Sequence, residues 1–301
     1  MDFSQVWQSD SASEDFLKLF NGAAETASGV SVTFNTALRH STVYACNRVL
    51  SESIASLPLV LYKEEKDGTR IKAKEHPLYK LLNSNPNSEQ TTMQWRENMI
   101  TNLNLRGNHF TQIIRNGAGQ VSQLWSLDTT RMTAKRLQST GEIVFIYDYS
   151  ADGSSKQVAF KFNEVLNIAG LSLDGISGIS PIGYERESIG LSIAMEEFGN
   201  KYFKNGATSS GAFSIEGELS TEAYDRMKKD FETSYSGMKN AHKPMILEGG
   251  AKFNPITLNN KDSQFLEARR YQKEDIAMIF RVPLHMLNDL TKANYNSLEQ
   301  L

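Results

Sequence analysis

One cysteine, Cys46, stands in the 301 residues. No disulfide can close within the chain and no thiolate cluster can hold a metal, which suits a reducing compartment. Net charge is equally scarce, at -3 with a pI near 6.0. Tight nucleic-acid affinity comes from Lys and Arg neutralising phosphates, so the charge argues against a conventional DNA-binding surface and any contact with DNA is expected to be weak. No stretch approaches the roughly eighteen uninterrupted apolar residues of a membrane span, and no basic-then-apolar opening marks a secretory signal. The five histidines are scattered without motif partners. The nearest approach to a nucleotide site, Gly178-Ile-Ser-Pro-Ile-Gly183-Tyr184, fails: Tyr184 stands where lysine would reach phosphate, Glu185 where a hydroxyl would hold magnesium, and Pro181 removes a cradle amide. Ser177 and Ser180 miss the spacing of a nucleophile elbow. Glu196 and Glu197, adjacent on a helix, diverge by about 100° and form no carboxylate pair, and no His/Asp/Glu spacing suggests a metal site. Catalytic residues, cofactors and metals are all expected to be absent.

What is present suffices for packed cores in two or three domains, since 40% of the residues are hydrophobic. Residues 1–35, rich in Ser, Asp, Glu, Gln and Gly, predict a mobile arm. From Ser41 onward Val43, Cys46, Leu50, Ile54 and Leu57 recur at helical spacing until Pro58, which makes Cys46 a buried structural thiol. Residues 59–63 and 69–72 flank a Lys66-Asp67-Gly68 turn. A short helix follows over 77–83, and Thr91 or Thr92 caps another that stops at Gly107. Strands at 109–115 and 121–127 flank Asn116-Gly117, and 142–148 with 158–162 form a second pair. This half is α+β.

Ser180 caps a long helix with Pro181 at its first position, running to Lys204 and closed by Asn205-Gly206. Tyr184, Leu191, Met195, Phe198 and Tyr202 line one stripe of it. Then come a strand near 212–215, a helix over 220–236 striped by Tyr224, Met227, Phe231 and Tyr235, and a hairpin of 245–247 with 252–258. A second long helix spans 262–282, capped by Asn260 or Asp262 and stopped by Pro283. Its ends are apolar, but Arg269, Arg270, Gln272, Lys273, Glu274 and Asp275 make its middle polar nearly all round. Such a helix is a solvated surface helix, a bridge, or one packed on copies of itself. The order describes a small unit on two helical stalks. Its aromatic and methionine stripes read as core first, with an inter-subunit face as the alternative.

Several blocks resemble the phage portal protein family, the head-to-tail connectors of tailed phages of the Hong Kong type. They are GVSVTFNTAL and STVYACNRVLSESIASLPLVLY within Gly29–Tyr62, HPLYKLLNSNPN, LRGNHFTQIIRNGAGQVSQLWSL, GISGISPIG, and the closing charged helix with Val282-Pro283, an apolar turn and Tyr295-Asn296-Ser297-Leu298-Glu299. The resemblance covers Gly29 to Leu301. It implies an α+β portal-type fold: an α/β wing over 36–180, a first stem helix over 181–205, a small α/β clip over 206–258 and a second stem helix over 259–283. A tunnel loop and the start of the next wing helix would occupy 284–301, without the C-terminal crown that the family carries beyond. It implies a homo-oligomeric, dodecameric ring in the virion, at the portal vertex of the capsid, assembled in the host cytoplasm. Through it a separate terminase threads double-stranded DNA, weakly bound, and the terminase large subunit, a head-tail adaptor and the major capsid protein are its partners, with no membrane. The residues expected to act are Thr291, Lys292, Asn294, Tyr295 and Asn296 in the channel loop. Glu196, Glu197, Arg269, Arg270, Lys273 and Glu274 would pair between stems, and Tyr224, Met227, Phe231 and Tyr235 would form the clip interface. Residues 181–260 hold nine Lys and Arg against eleven Asp and Glu, and a faintly acidic wall lets DNA slide where a basic one would hold it. The rival classes are a monomeric adaptor that binds through the Tyr224 stripe and a hydrolase with a helical insertion.

Overall fold

The computed structural model describes residues 26–137, 139–151, 154–204, 211–215, 217, 220–234, 252–255 and 261–290. The chain divides into two compact units, 1–190 with 274–301, and 191–273.

In the first unit α1 (Phe34–Arg39) opens on a capping box between Thr33 and Thr36, and α2 (Ser41–Ser56) follows after His40. The expected apolar stripe of α2 is only half used. The buried row runs through Val43, Asn47, Ser51 and Ala55, with Cys46 beside it, while Ile54 and Leu57 are exposed. Asn47 sets this facing by donating to Thr101 and accepting from Asn104 of the helix it packs on. That helix, α4 (Thr92–Arg106), starts on a Thr91/Gln94 capping box and ends at Gly107, whose φ of 74° is the left-handed stop its sequence announces. Before it lie the hairpin β1 (Tyr62–Glu64) and β2 (Arg70–Lys72) and the helix α3 (Pro77–Asn83).

Two antiparallel sheets complete this unit. β3 (Asn108–Arg115) lies between β4 (Val121–Ser126) and β8 (Val165–Ala169), and β6 (Ile143–Ala151) lies between β5 (Met132–Arg136) and β7 (Ser154–Lys161). Both hairpins match the sequence reading, which lacks β5 and β8: Gly141, at a φ of 70°, turns β5 into β6, and β8 is set by β3, the partner it meets. Alternation along β3 feeds two cores. Ile113 joins Trp95, Met99 and Leu124 beneath α4, and Phe110 joins Met132, Phe145 and Val165 on the other side. The Phe110 and Phe145 rings meet edge to face at 5.7 Å, a favoured aromatic geometry.

Backbone meets backbone where α4 passes into β3. Gly170 N–H donates to Gly107 O, and a Cβ on Gly178 would lie 1.9 Å from that same oxygen. A Cβ on Gly107 would lie 2.1 Å from Ile179 O. The Asn108 side-chain amide bonds Gly178 both ways, donating to its carbonyl at 2.8 Å and accepting its N–H at 2.7 Å. Ser180 Oγ then donates to Leu105 O and accepts Gly183 N–H, capping α5 (Pro181–Tyr184). The stem helix expected to run unbroken is interrupted at Glu185 (φ -99°, ψ 24°) before α6 (Arg186–Lys204).

The arm expected over 1–35 is structured from Thr26 onward. Thr26 and Val32 are buried, the Thr26 side chain fills the space at Gly190, and Ala27 N–H donates to Glu187 at 2.9 Å. The bare glycine on α6 is what lets Thr26 in.

The second unit contains β9 (Gly211–Ser214), α7 (Thr221–Ser234), β10 (Lys252–Pro255) and the polar stretch of α8 (Lys261–Ile279). The residues 245–247 expected to pair with β10 lie outside the described residues; the partner seen is β9, four residues in antiparallel register. α7 starts one residue later than expected, because Ser220 is its cap. α8 ends at Ile279 and not at Val282. Arg281 takes a φ of 55°, with Arg281 N–H to Met278 O and Val282 N–H to Ala277 O, a Schellman closure that satisfies the last carbonyls before proline can act.

Replacing Gly178 by alanine is expected to cost about 1–3 kcal/mol or more, since a backbone oxygen cannot swing aside as a side chain can. Thermal unfolding followed by circular dichroism checks it: a melting temperature unchanged from wild type would show that the loop yields freely.

Candidate functional site

Groups able to do chemistry were sought first. Cys46 is fully buried on α2, and burial pushes its thiol up to about 11, far from a nucleophile's range. His109 is also fully buried, and desolvation brings its imidazole down to about 4. Its Nε2 lies 2.8 Å from Thr111 Oγ1, which also accepts the Trp95 indole N–H at 3.2 Å. This chain of polar atoms ties α4 to β3, away from solvent, and its role is structural. In the 178–184 segment the N–H groups of the two glycines, Gly178 and Gly183, are taken by Asn108 and Ser180. Asp174 organises the loop before it: burial would raise its carboxyl, but the N–H groups of Ser177 and Ile176 and the Ser172 hydroxyl outweigh that and hold it below the ordinary carboxylate range. Among the described residues no three metal-ligating side chains converge, and no helix is long and apolar enough to cross a membrane.

The surfaces of the second unit tell more. Among its described residues no apolar side chain is buried, yet Leu191, Phe198, Tyr224 and Tyr271 are 45%, 57%, 56% and 61% exposed. Its stretches of α6 and α8 touch at Gly199, where a Cβ would come within 3.1 Å of the Phe265 ring, and Phe198 meets Phe265 edge to face at 5.8 Å. A glycine inside the stripe of α6 was the sequence signal for this approach, and sequence reasoning passed over it. α7 presents Tyr224 as exposed and Met227 as half-buried. The Phe231 side chain and Tyr235 lie outside the described residues, as do Thr291, Lys292, Asn294, Tyr295 and Asn296.

The charges expected to pair between stems divide into two groups. Arg270, Lys273 and Glu274 each interact with another group of the chain. Arg269 and Glu197 are exposed and Glu196 is half-buried, and these three make no ion pair among the described residues. Gln272, in the middle read as polar all round, is buried with its Oε1 lacking a hydrogen-bond partner. A solvated helix would not bury that residue.

Residues 41–301 match the family model described as phage portal protein. The chain belongs to the phage portal protein family. It is 36% identical over 283 residues to the probable portal protein of Streptomyces phage phiC31, an alignment spanning 91% of this chain and 61% of that one. The chain thus spans about three fifths of the length of that relative. Its fold is similar to that of an HK97 family phage portal protein from Corynebacterium diphtheriae, with a TM-score of 0.62, 14% identity, and coverage of 88% of this chain and 82% of that one. It is also similar to a chain in the neck of a native gene transfer agent particle, reconstructed with twelvefold symmetry. There the TM-score is 0.58 and the identity 24%, over 88% of this chain and 73% of the other. The fold is therefore the mixed helix and strand architecture of portal proteins.

The buried imidazole gives a pH dependence with a definite sign. Unfolded His109 takes up its proton near 6.5 and the folded protein only near 4. Its contribution is complete above pH 6.5 and is lost as pH falls towards 4, about 3 kcal/mol in all. Urea titrations between pH 7 and 4 should show a shallower fall for His109→Gln than for wild type; parallel curves would show that the imidazole is not held neutral.

Proposed function

We propose that this chain is one subunit of the portal ring at a single vertex of a tailed-phage head. The ring is a conduit through which a separate motor threads double-stranded DNA and onto which terminase and a head-tail adaptor dock. One observation carries the reading: the unit 191–273 has no buried apolar side chain among its described residues, while four large ones stand exposed. A unit whose described residues bury no apolar side chain is completed by copies of itself, and heterologous contacts that close make a ring. Family membership and the twelvefold neck that holds a similarly folded chain support the same conclusion. On this reading 36–180 is the wing, α6 and α8 belong to the stems, and 206–258 is the clip. Chemistry on the DNA is no part of the role, and the candidate thiol, imidazole and glycine turn have structural duties instead. A monomeric adaptor would leave the exposed stem residues Leu191, Phe198 and Tyr271 unexplained.

Negative-stain imaging and mass photometry should show closed rings with an open channel, and a chain that stays monomeric at every concentration would sink the proposal. Within the ring, Arg269 is expected to meet Glu196 or Glu197 of a neighbour. Exposed pairs give only about 0–1 kcal/mol each, so Arg269→Glu with Arg270→Glu should weaken assembly mainly at low salt. Assembly indifferent to that pair of changes at all salt concentrations would remove the stem contact from this account.

The channel loop supplies Lys292 as the one residue able to attract phosphate among neutral Thr291, Asn294, Tyr295 and Asn296. Repeated around a ring, it gives a weak positive belt that touches DNA without holding it. Lys292→Glu should alter DNA retention or packaging in assembled particles while rings still form. Wild-type packaging in that variant, with Tyr295→Ala equally silent, would reduce the loop to a connector.

A further inference from the structure

Among the described residues the β1–β2 hairpin has no third strand and no core beneath it. Its strands pair only with each other, and all six strand residues are exposed. Two strands alone are marginal in water. The root, by contrast, is held firmly: Arg96 donates to Leu57 O, Asn83 donates to Leu59 O at 2.8 Å, and Ala73 N–H donates to Leu61 O at 2.9 Å. Register sets Tyr62 opposite Lys72 and Ile71 opposite Lys63. Each face of the finger therefore shows one large apolar residue, and both are exposed. Lys63 pairs with Glu65, Arg70 with Glu64, and Asp67 bonds Thr69 in the turn. Lys66, Lys72 and Lys74 have no acidic partner among the described residues. What projects is a rooted, positively charged finger.

A surface of the opposite sign exists on the same unit. Glu89, Gln90, Gln94, Glu97, Asn98 and Thr101 line an open groove of about 400 Å³ along α4. Glu89 and Glu97 have no cationic partner among the described residues. At about 100° per helical residue, positions 94, 97, 98 and 101 centre on a face about 150° around α4 from Arg96. The hairpin root and the groove thus leave the helix on nearly opposite sides, so the finger is turned away from its own groove. A ring contact needs this arrangement, because each subunit meets its two neighbours through two different faces.

We infer that the β1–β2 hairpin of one protomer lies along the 89–101 groove of the next, with Lys66, Lys72 and Lys74 facing Glu89 and Glu97. The inference rests on the ring reading above and names a wing contact within it. Single exposed ion pairs are weak, so the contact works through repetition around the ring and fades as salt screens it.

The test uses the full chain. Lys66→Glu, Lys72→Glu and Lys74→Glu together, and separately Glu89→Lys with Glu97→Lys, should each lower the ring fraction at low salt at least tenfold by mass photometry. Combining the two sets should restore it, and melting curves report whether each variant folds. In parallel, chains carrying Lys72→Cys mixed with chains carrying Glu97→Cys should form a disulfide between chains on oxidation, since Cys46 is buried. A combined variant that assembles no better than either set alone, a set that assembles like wild type, or the lack of a cross-link in wild-type-like rings overturns the inference. A wild type that is itself monomeric overturns the ring reading and this contact together, whereas a ring indifferent to these charges overturns the contact alone.

Discussion

Three glycines meeting backbone to backbone set the geometry on which the first unit depends. Gly107 ends α4 in the left-handed region, accepts Gly170 N–H and leaves no room for a side chain on Gly178. A Cβ at Gly107 or Gly178 would stand within 2.1 Å of a backbone oxygen, closer than any relaxed structure allows. Because the chain comes this close, Asn108 can bond Gly178 in both directions and Ser180 can reach Leu105 O. The end of one helix, the start of the central strand and the cap of α5 are thereby tied in one place.

From that point β3 divides the unit into two cores. Its alternation sends Phe110 to one and Ile113 to the other, so a one-residue slip would exchange the faces and empty both. Asn108 and the pairing of His109 with Ile168 fix the register at its start. The polar residues His109 and Thr111 lie among apolar ones here because Trp95 brings an indole N–H that needs an acceptor. Desolvation then keeps the imidazole neutral, which is the state compatible with its surroundings.

The second unit obeys a different economy. Its helices touch through Gly199 and Phe265, and its described residues bury no apolar side chain. A soluble monomer gains little by displaying Leu191, Phe198, Tyr224 and Tyr271 together on one small unit. In the proposed ring the same side chains become interior where copies meet. The mild acidity of 181–260 fits the proposed conduit, since a wall lined with phosphate-binding lysines would grip any DNA passing along it.

Local chemistry determined the elements whose signals are local. The Thr91 capping box and Gly107 bounded α4, Pro77 opened α3 and Ser180-Pro181 opened α5, each because a cap, a ring or a positive φ leaves few alternatives; Asn116-Gly117 marked the turn from β3 into β4, where the positive φ falls on Gly119. The ordered blocks from Gly29 to Leu301 made the family legible as well. Only the tertiary structure decided which face of α2 is buried, since Asn47 finds partners on α4 and leaves Ile54 and Leu57 outside despite their spacing. It decided that β8 lies beside β3 and that β10 pairs with β9, because strand partners distant in sequence carry no mark of one another. It also decided that Thr26 belongs to the fold, through a space that exists only because Gly190 lacks a side chain on a helix far along the chain. Sequence fixes what a residue can do locally; which neighbour it does it with is settled by the packing that brings distant segments together.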